Sequence, residues 1–277
     1  MALAHDGRYD RDTLVRALLL SERFSVGLTR VAVETLGEHR SGNRDVELLL
    51  AIHGAPDASP GWLSTATSRD PASVSRSLRH LVDERLVTRR PSPVDGRSSL
   101  VRLSRRGRTR IANFERALSA FIAEAAPLVK EIVDLLKVPD DVTVGARGVL
   151  EATNILARVG AAYVNDVTDA LRPFAVSDRL ERFTLTLLLD RGDLRPRDLV
   201  HEFGLSGSQV TQVLDRLSGM GILVRGHDDP ADRRAVVVRL TDRGKTAADV
   251  QLDVFARHAD RICSALALTA RLPGGAS

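Results

Sequence analysis

Apolar residues recur along this chain at helical spacing, broken twice by short runs with strand spacing. Leu14, Leu18, Leu28 and Val31 share one face of a helix predicted over 10–38, with Asp10 or Asp12 as its cap. A second helix over 44–53 turns Val46, Leu49 and Leu50 inward. Ser59-Pro60, a cap followed by a first-turn proline, opens a third helix to about Ser68. Asp70-Pro71 repeats the signal and opens a fourth, 71–85, with Val74, Leu78 and Leu81 buried. That register sends Ser73, Arg76, Arg79 and His80 to the exposed side. Leu86 to Arg89 and Ser99 to Leu103 then read as a two-stranded hairpin. Ser104 caps a long helix to about Ala126, Pro127 is expected to break or kink it, and a short helix, 128–137, follows.

The second half replays the first. After the short linker Val138-Pro-Asp-Asp141 comes a long helix, 143–171, with Val149, Ala152, Leu156, Val159, Tyr163 and Val167 on one seam. Helices follow over 178–190, 196–203 and 207–219, the last opened by Ser206-x-x-Gln209, a capping box. Val210, Leu214 and Leu217 match Val74, Leu78 and Leu81 at an offset of 136 residues. Gln209, Gln212, Asp215 and Arg216 match the outward Ser73, Arg76, Arg79 and His80. Past the hairpin turn the offset becomes 137, and a final helix runs from Thr241 to about Ala270. Two helices joined by a tight turn and followed by a hairpin describe a winged helix-turn-helix. The pattern therefore predicts a mainly α chain with small β-hairpin wings. Two winged helix-turn-helix domains, about 44–104 and 178–241, are joined by a bundle of long helices. The repeat divides the chain at 138, into 1–138 and 139–277.

Charge sharpens this picture. Residues 76–110 hold eleven arginines against three acids, a net charge of +8, whereas 212–247 holds seven basic residues against five acids, a net +2. A bias toward arginine codons would raise arginine throughout rather than in one stripe. A local basic stripe on a helix and turn is the electrostatic footprint of phosphate binding. Aromatics are only 4% of the chain, which disfavours stacking on single strands. Cys263 is the only cysteine, so neither an internal disulfide nor a cysteine-based metal site is expected, and its reading is an inert apolar residue. With no signal pattern and no apolar run of membrane-spanning length, a cytoplasmic protein is expected.

Enzyme signatures are missing. His201-Glu202 begins a metalloprotease-like pattern, but position 205 is leucine where the second histidine belongs. No glycine-rich phosphate loop and no Gly-x-Ser-x-Gly is present. No enzyme activity, cofactor or metal site is expected.

The second copy carries Gly221-Ile-Leu-Val-Arg225, then Asp229-Pro-Ala-Asp-Arg-Arg234 and Leu240-Thr-Asp-Arg-Gly244. On these motifs the chain resembles the MarR family of winged helix-turn-helix transcription regulators. The first copy departs from the pattern: Asp70 stands for the serine cap, Arg85 for glycine, Ser92 for the first wing aspartate and Ser104 for threonine. The resemblance covers nearly the whole chain and implies two MarR-like units fused as a pseudo-dimer. It implies a transcription regulator, a repressor by preference, that binds double-stranded DNA as a single chain, although further pairing of chains is left open.

In that reading Ser73, Ser75, Arg76 and Arg79 of the first recognition helix and Gln209, Thr211, Gln212 and Arg216 of the second face a major groove. There arginine suits guanine or phosphate and glutamine suits adenine. Arg90, Arg97, Arg233 and Arg234 of the wings reach the flanking backbone or minor groove, with Asp95 and Asp232 orienting them. The competing assignments are solvated helix faces and Arg–Asp pairs within the wings. Unlike recognition helices imply an asymmetric operator with half-sites about 34–36 Å apart, and Asp215 is expected to weaken the second half. The resemblance also implies a small-molecule effector, for which Trp62, Phe114, Tyr163, Phe174 and Phe183 are the candidate lining; the competing assignment is ordinary core. A protein-interaction scaffold or anti-repressor without DNA contact is the alternative function.

Overall fold

A computed structural model describes residues 8–36, 43–67, 69–93, 99–137, 146, 148–203, 206–229 and 232–271, excepting the side chains of 43, 44, 203, 227–229 and 232–235. In chain order the elements are α1 (Arg11–Leu36), α2 (Asn43–Gly54), α3 (Pro60–Ala66), α4 (Pro71–Asp83), β1 (Val87–Pro91), β2 (Ser99–Leu103), α5 (Arg105–Leu136) and α6 (Val149–Leu171). There follow α7 (Arg179–Arg191), α8 (Pro196–Phe203), α9 (Gly207–Gly219), β3 (Leu223–Asp229), β4 (Asp232–Leu240) and α10 (Asp242–Ala270). The expected caps close several helices. Asp10 accepts from the Thr13 amide at 2.8 Å, and Ser59, Asp70 and Ser206 accept from Trp62, Ser73 and Gln209. None of the described helices is long and apolar enough to cross a membrane.

Packing groups the residues into two compact units. One comprises Ser25–Pro127, Val144–Ile155 and Leu268–Ser277, and holds the first winged segment. The other comprises Met1–Phe24, Leu128–Thr143 and Leu156–Ala267, and holds the second. Each unit therefore draws on both sides of residue 138. The division expected there follows the repeat in the sequence, whereas the long helices α1, α5, α6 and α10 contribute residues to both units. The linker itself, 138–141, lies outside the described residues. Pro127 does not end its helix: α5 runs through it. The apolar stripes on either side, Leu118 and Ile122 before it and Val129, Ile132 and Leu136 after it, are all buried, and they hold the helix across the missing amide.

The first winged unit has a core of Leu48, Leu49, Ile52, Leu63, Val74, Leu78, Leu81, Leu86, Val101, Phe114 and Leu118. Its hairpin pairs β1 with β2 antiparallel from Val87↔Leu103 to Pro91↔Ser99, and Ala58 adds a third rung through the Val101 amide at 2.9 Å. The second hairpin pairs β3 with β4 from Leu223↔Leu240, and Leu194 adds its rung to Val238.

The base of each wing is built by the same contacts. Ser104 donates its amide to the Leu86 carbonyl at 2.9 Å, donates its hydroxyl to the Arg85 carbonyl at 2.6 Å, and accepts the Gly107 amide at 2.9 Å. Thr241 repeats all three, to Ile222 at 3.0 Å, to Gly221 at 2.7 Å and from Gly244 at 3.1 Å. A Cβ at 107 would lie 2.1 Å from the Leu86 carbonyl oxygen, and one at 244 would lie 2.0 Å from that of Ile222. Only glycine fits where the two backbones meet this closely.

Gly107→Ala and Gly244→Ala are each expected to destabilise the fold by about 1–3 kcal/mol through forced backbone displacement. Gly160→Ala, in the interior of α6 with nothing within 4 Å of the added methyl, should instead stabilise by roughly 0.5–1 kcal/mol. Urea unfolding of the three variants checks the contrast. A second expectation concerns Cys263, which is fully buried, its thiol pushed up to about 11 by burial and by the Asp260 carboxylate. Thiol reagents should label the native protein far more slowly than the urea-unfolded chain.

Candidate nucleic-acid interface

The recognition helix α4 starts at Pro71, with the Asp70 carboxylate accepting the Ser73 amide at 2.8 Å. Val74, Leu78 and Leu81 are fully buried, as the periodicity requires, and Ser75, Arg76 and Arg79 are exposed. Ser73 is not on that outer face. It is 7% exposed, and with Ser77 it is held by Arg69, whose Nη2 donates to both hydroxyls at 2.9 Å. Serine is small enough to sit beside the apolar seam while an arginine from the preceding turn satisfies it, so the apolar pattern alone drew the buried face too narrow.

His80 is also turned inward, with Nδ1 3.1 Å from Oδ2 of the fully buried Asp45 on α2. Its counterpart also reaches a buried acid, although it stays exposed itself. Arg216 Nη1 lies 3.0 Å from Oε1 of Glu181, which is 1% exposed on α7. Both pairs keep the 136-residue offset. Arg216 therefore anchors α9 to the helix beneath it instead of standing free. Removing Arg216 would leave the buried Glu181 carboxylate without its cation.

On α9 the Gln209 side chain closes the capping box, its Oε1 accepting from the Ser206 amide at 3.0 Å. Thr211 is exposed, and its hydroxyl donates to the Gly207 carbonyl at 2.8 Å. Gln212 is exposed and makes no hydrogen bond among the described residues. Asp215 binds Arg225 at 2.5 Å, so its charge is neutralised at the surface rather than presented alone.

The two winged segments differ most in how their cations are occupied. In the first, Arg90 and Arg102 both bind Asp57, at 2.8 and 2.9 Å, and the Arg102 hydrogen bond holds the Asp57 carboxyl below its ordinary range. Arg108 donates to the Leu103 carbonyl. Arg76, Arg79, Arg85, Arg89, Arg105 and Arg106 are exposed, and none makes an ion pair among the described residues. In the second segment every cation from 207 to 245 whose side chain is described is engaged. Arg216 meets Glu181, Arg225 meets Asp215, Arg239 meets Asp193 and Lys245 meets Asp242. Arg243 donates to the Pro173 carbonyl at 2.9 Å and lies over the Phe174 ring.

Arg89, Arg105 and Arg106 were not among the residues singled out from the sequence, and Arg85 was noted only as standing where the second copy has glycine. Aligning the two copies could have found Arg105 as well, since it faces Asp242. Asp95 and Arg97 lie outside the described residues, as do the side chains of Asp232, Arg233 and Arg234.

The aromatic residues expected to line a cleft are dispersed. Phe114 and Phe183 are each 1% exposed and serve as core. Trp62 is 46% exposed on α3, and Phe174 is half-buried beneath Arg243. Aromatic character alone does not separate core from lining. Tyr163 stands apart: it is buried edge-on against Phe255. Burial, then the Glu22 carboxylate, pushes its hydroxyl up, while Arg182 and a hydrogen bond with the Gln251 side chain oppose the shift. Arg182 Nε is buried and unpaired. Among the described residues no group of His, Cys, Asp and Glu is arranged to hold a metal ion.

The MarR family profile matches residues 43–98, spanning α2 to the first wing. The uncharacterized HTH-type transcriptional regulators YdgJ and YfiV of Bacillus subtilis are 35% identical over 79 residues and 43% identical over 61 residues. These matches cover 28% and 22% of this chain, and the chain spans only 48% and 38% of those relatives' own lengths. The crystal structure of CouR from Rhodococcus jostii RHA1 bound to p-coumaroyl-CoA is 28% identical, covering 41% of this chain and 80% of that one at a TM-score of 0.33. Residues 43–98, which hold the capped helix α4 and the start of the first wing, thus match the MarR family, and the curated relatives that the chain resembles are HTH-type transcriptional regulators.

Proposed function

We propose that this protein is a sequence-specific double-stranded DNA-binding transcription regulator, acting as a repressor by occupying its operator. Two MarR-like units in one polypeptide form a pseudo-dimer that reads two unlike half-sites. The observation that carries the reading is the set of six exposed arginines in and around α4 and the first wing that have no ion-pair partner among the described residues. Unpaired surface cations on a recognition helix release condensed counterions when they meet phosphate, and this term supplies much of the affinity. In the second segment the described cations are already held by carboxylates or a carbonyl. Its recognition helix contributes chiefly through Gln212, with Gln209 retained for the cap. The engagement of these second-half cations also favours a scaffold role for that half, in which DNA is held by the first half alone.

A small-molecule effector is the second part of the proposal. Arg182 Nε lies buried and unpaired in the compact unit that also holds the buried Tyr163 and Gln251. Such an atom costs about 1–3 kcal/mol unless a partner reaches it, and a polar ligand would supply one.

Footprinting of genome-selected duplexes, followed by titration at several salt concentrations, tests the DNA reading. Arg76→Ala and Arg79→Ala should each weaken operator binding by roughly 5- to 100-fold, depending on whether base or phosphate is lost. Gln212→Ala should cost less than about 5-fold, the bound set by its single unassisted contact. A protein with no preferred site and a flat salt response would exclude the regulator reading. An equal loss at Arg76 and Gln212 would exclude the unequal halves.

A further inference from the structure

We propose that Arg85, Arg105 and Arg106 form a second phosphate-gripping site, at the C-terminal end of the first recognition helix. It would hold the backbone of the same duplex that α4 reads, and so it rests on the DNA-binding reading above. Three observations meet here.

The first is proximity. The Arg85 carbonyl accepts the Ser104 hydroxyl at 2.6 Å, and the Ser104 amide reaches the Leu86 carbonyl at 2.9 Å. The turn after α4 and the first turn of α5 are thus one continuous piece of surface. Arg85, Arg105 and Arg106 are exposed on it, with no ion pair among the described residues. Asp83 and Glu84 share this surface, and Arg108 adds a further cation. Four arginines against two acids leave it positive, at net +2.

The second is the backbone of Arg85. Its φ is +57°, in the left-handed region, where its counterpart Gly221 has φ +68°. Glycine takes this conformation freely, and an arginine does so at a cost. The second copy solves the same turn with glycine, so arginine at 85 is unnecessary for the fold. Its side chain is the feature left to explain.

The third is the contrast at the start of α5. Ser104-Arg-Arg of the first copy corresponds to Thr241-Asp-Arg of the second. Asp242 there binds Lys245, and Arg243 is tied to the Pro173 carbonyl. Equivalent positions are thus Arg, Arg and Arg in one copy, and Gly, Asp and an engaged Arg in the other.

Placement fits the duplex. The thirteen residues of α4 span about 20 Å at 1.5 Å per residue, whereas the major groove is about 12 Å wide. A recognition helix that meets the bases with its N-terminal residues therefore has its other end about 20 Å away, beyond the width of the groove. With its N-terminal half at the bases, the end that projects carries Glu84 and Arg85.

The test compares wild-type protein with Arg85→Gly, Arg85→Lys and Arg105→Asp on the footprinted operator. Thermal unfolding and salt-dependent binding are measured in parallel. Arg85→Gly should raise Tm by about 2 °C by relieving the left-handed arginine. It should also weaken DNA binding several-fold and flatten the slope of log K against log salt by about 0.9, the loss of one phosphate contact. Arg85→Lys should keep the slope, and Arg105→Asp should weaken binding further than Arg85→Gly. If Arg85→Gly raises Tm while affinity and slope stay at wild type, the second site is overturned even where Arg76→Ala and Arg79→Ala still lose binding. Wild-type protein without salt-dependent DNA binding would overturn both readings together.

Discussion

The features of each winged segment rely on one close approach of two backbones. A carbonyl oxygen, that of Leu86 or Ile222, is pressed so near the first turn of the following helix that no side chain fits at Gly107 or Gly244. The end of the recognition helix, the first residue of the wing and the start of the long helix all converge there. The capping hydroxyl of Ser104 or Thr241 binds both sides of the junction. An N-cap ordinarily satisfies its own helix. Here it also sets the direction in which the recognition helix leaves the body, because the same oxygen donates to the residue that ends the turn.

Upon this shared frame the two copies distribute charge in opposite ways. Buried acids Asp45 and Glu181 hold the far ends of α4 and α9 through His80 and Arg216, so both recognition helices are anchored alike. Beyond the anchors, the second copy closes its cations onto Asp193, Asp215 and Asp242. Its first-copy counterpart has one such acid, Asp57, shared between two arginines. Net charge counted along the sequence captured the direction of this difference. It could not show which charges were already spent on neighbours, because Arg239 and Asp193 lie 46 residues apart.

Much of the fold was legible because helices announce themselves locally. Asp70-Pro71, Ser206-x-x-Gln209 and the apolar spacing of Val74, Leu78 and Leu81 each depend on residues within one or two turns. Three features were not legible. Pro127 reads as a break, yet burial of the stripes on both sides carries α5 through it. Ser73 reads as surface, because a polar side chain is hidden only when a partner such as Arg69 comes to meet it. The grouping of residues into compact units also escaped the pattern. Repetition marks where a copied segment begins, and packing follows where the long helices place their apolar stripes. Aromatic residues were the weakest guide to a ligand, since Phe114 and Phe183 are core; the burial of Tyr163 beside Phe255 was visible only in three dimensions.

The left-handed residue that ends each recognition helix has one further implication. In an assembly of two identical chains, any codon change appears twice, and a costly backbone choice is incurred on both sides at once. Here the two positions are encoded separately, as Arg85 and Gly221. Natural selection could therefore test an awkward conformation in one copy while the other retained the relaxed solution. Unlike residues at two matching turns convert a structural compromise, which symmetry would have imposed everywhere, into a local choice.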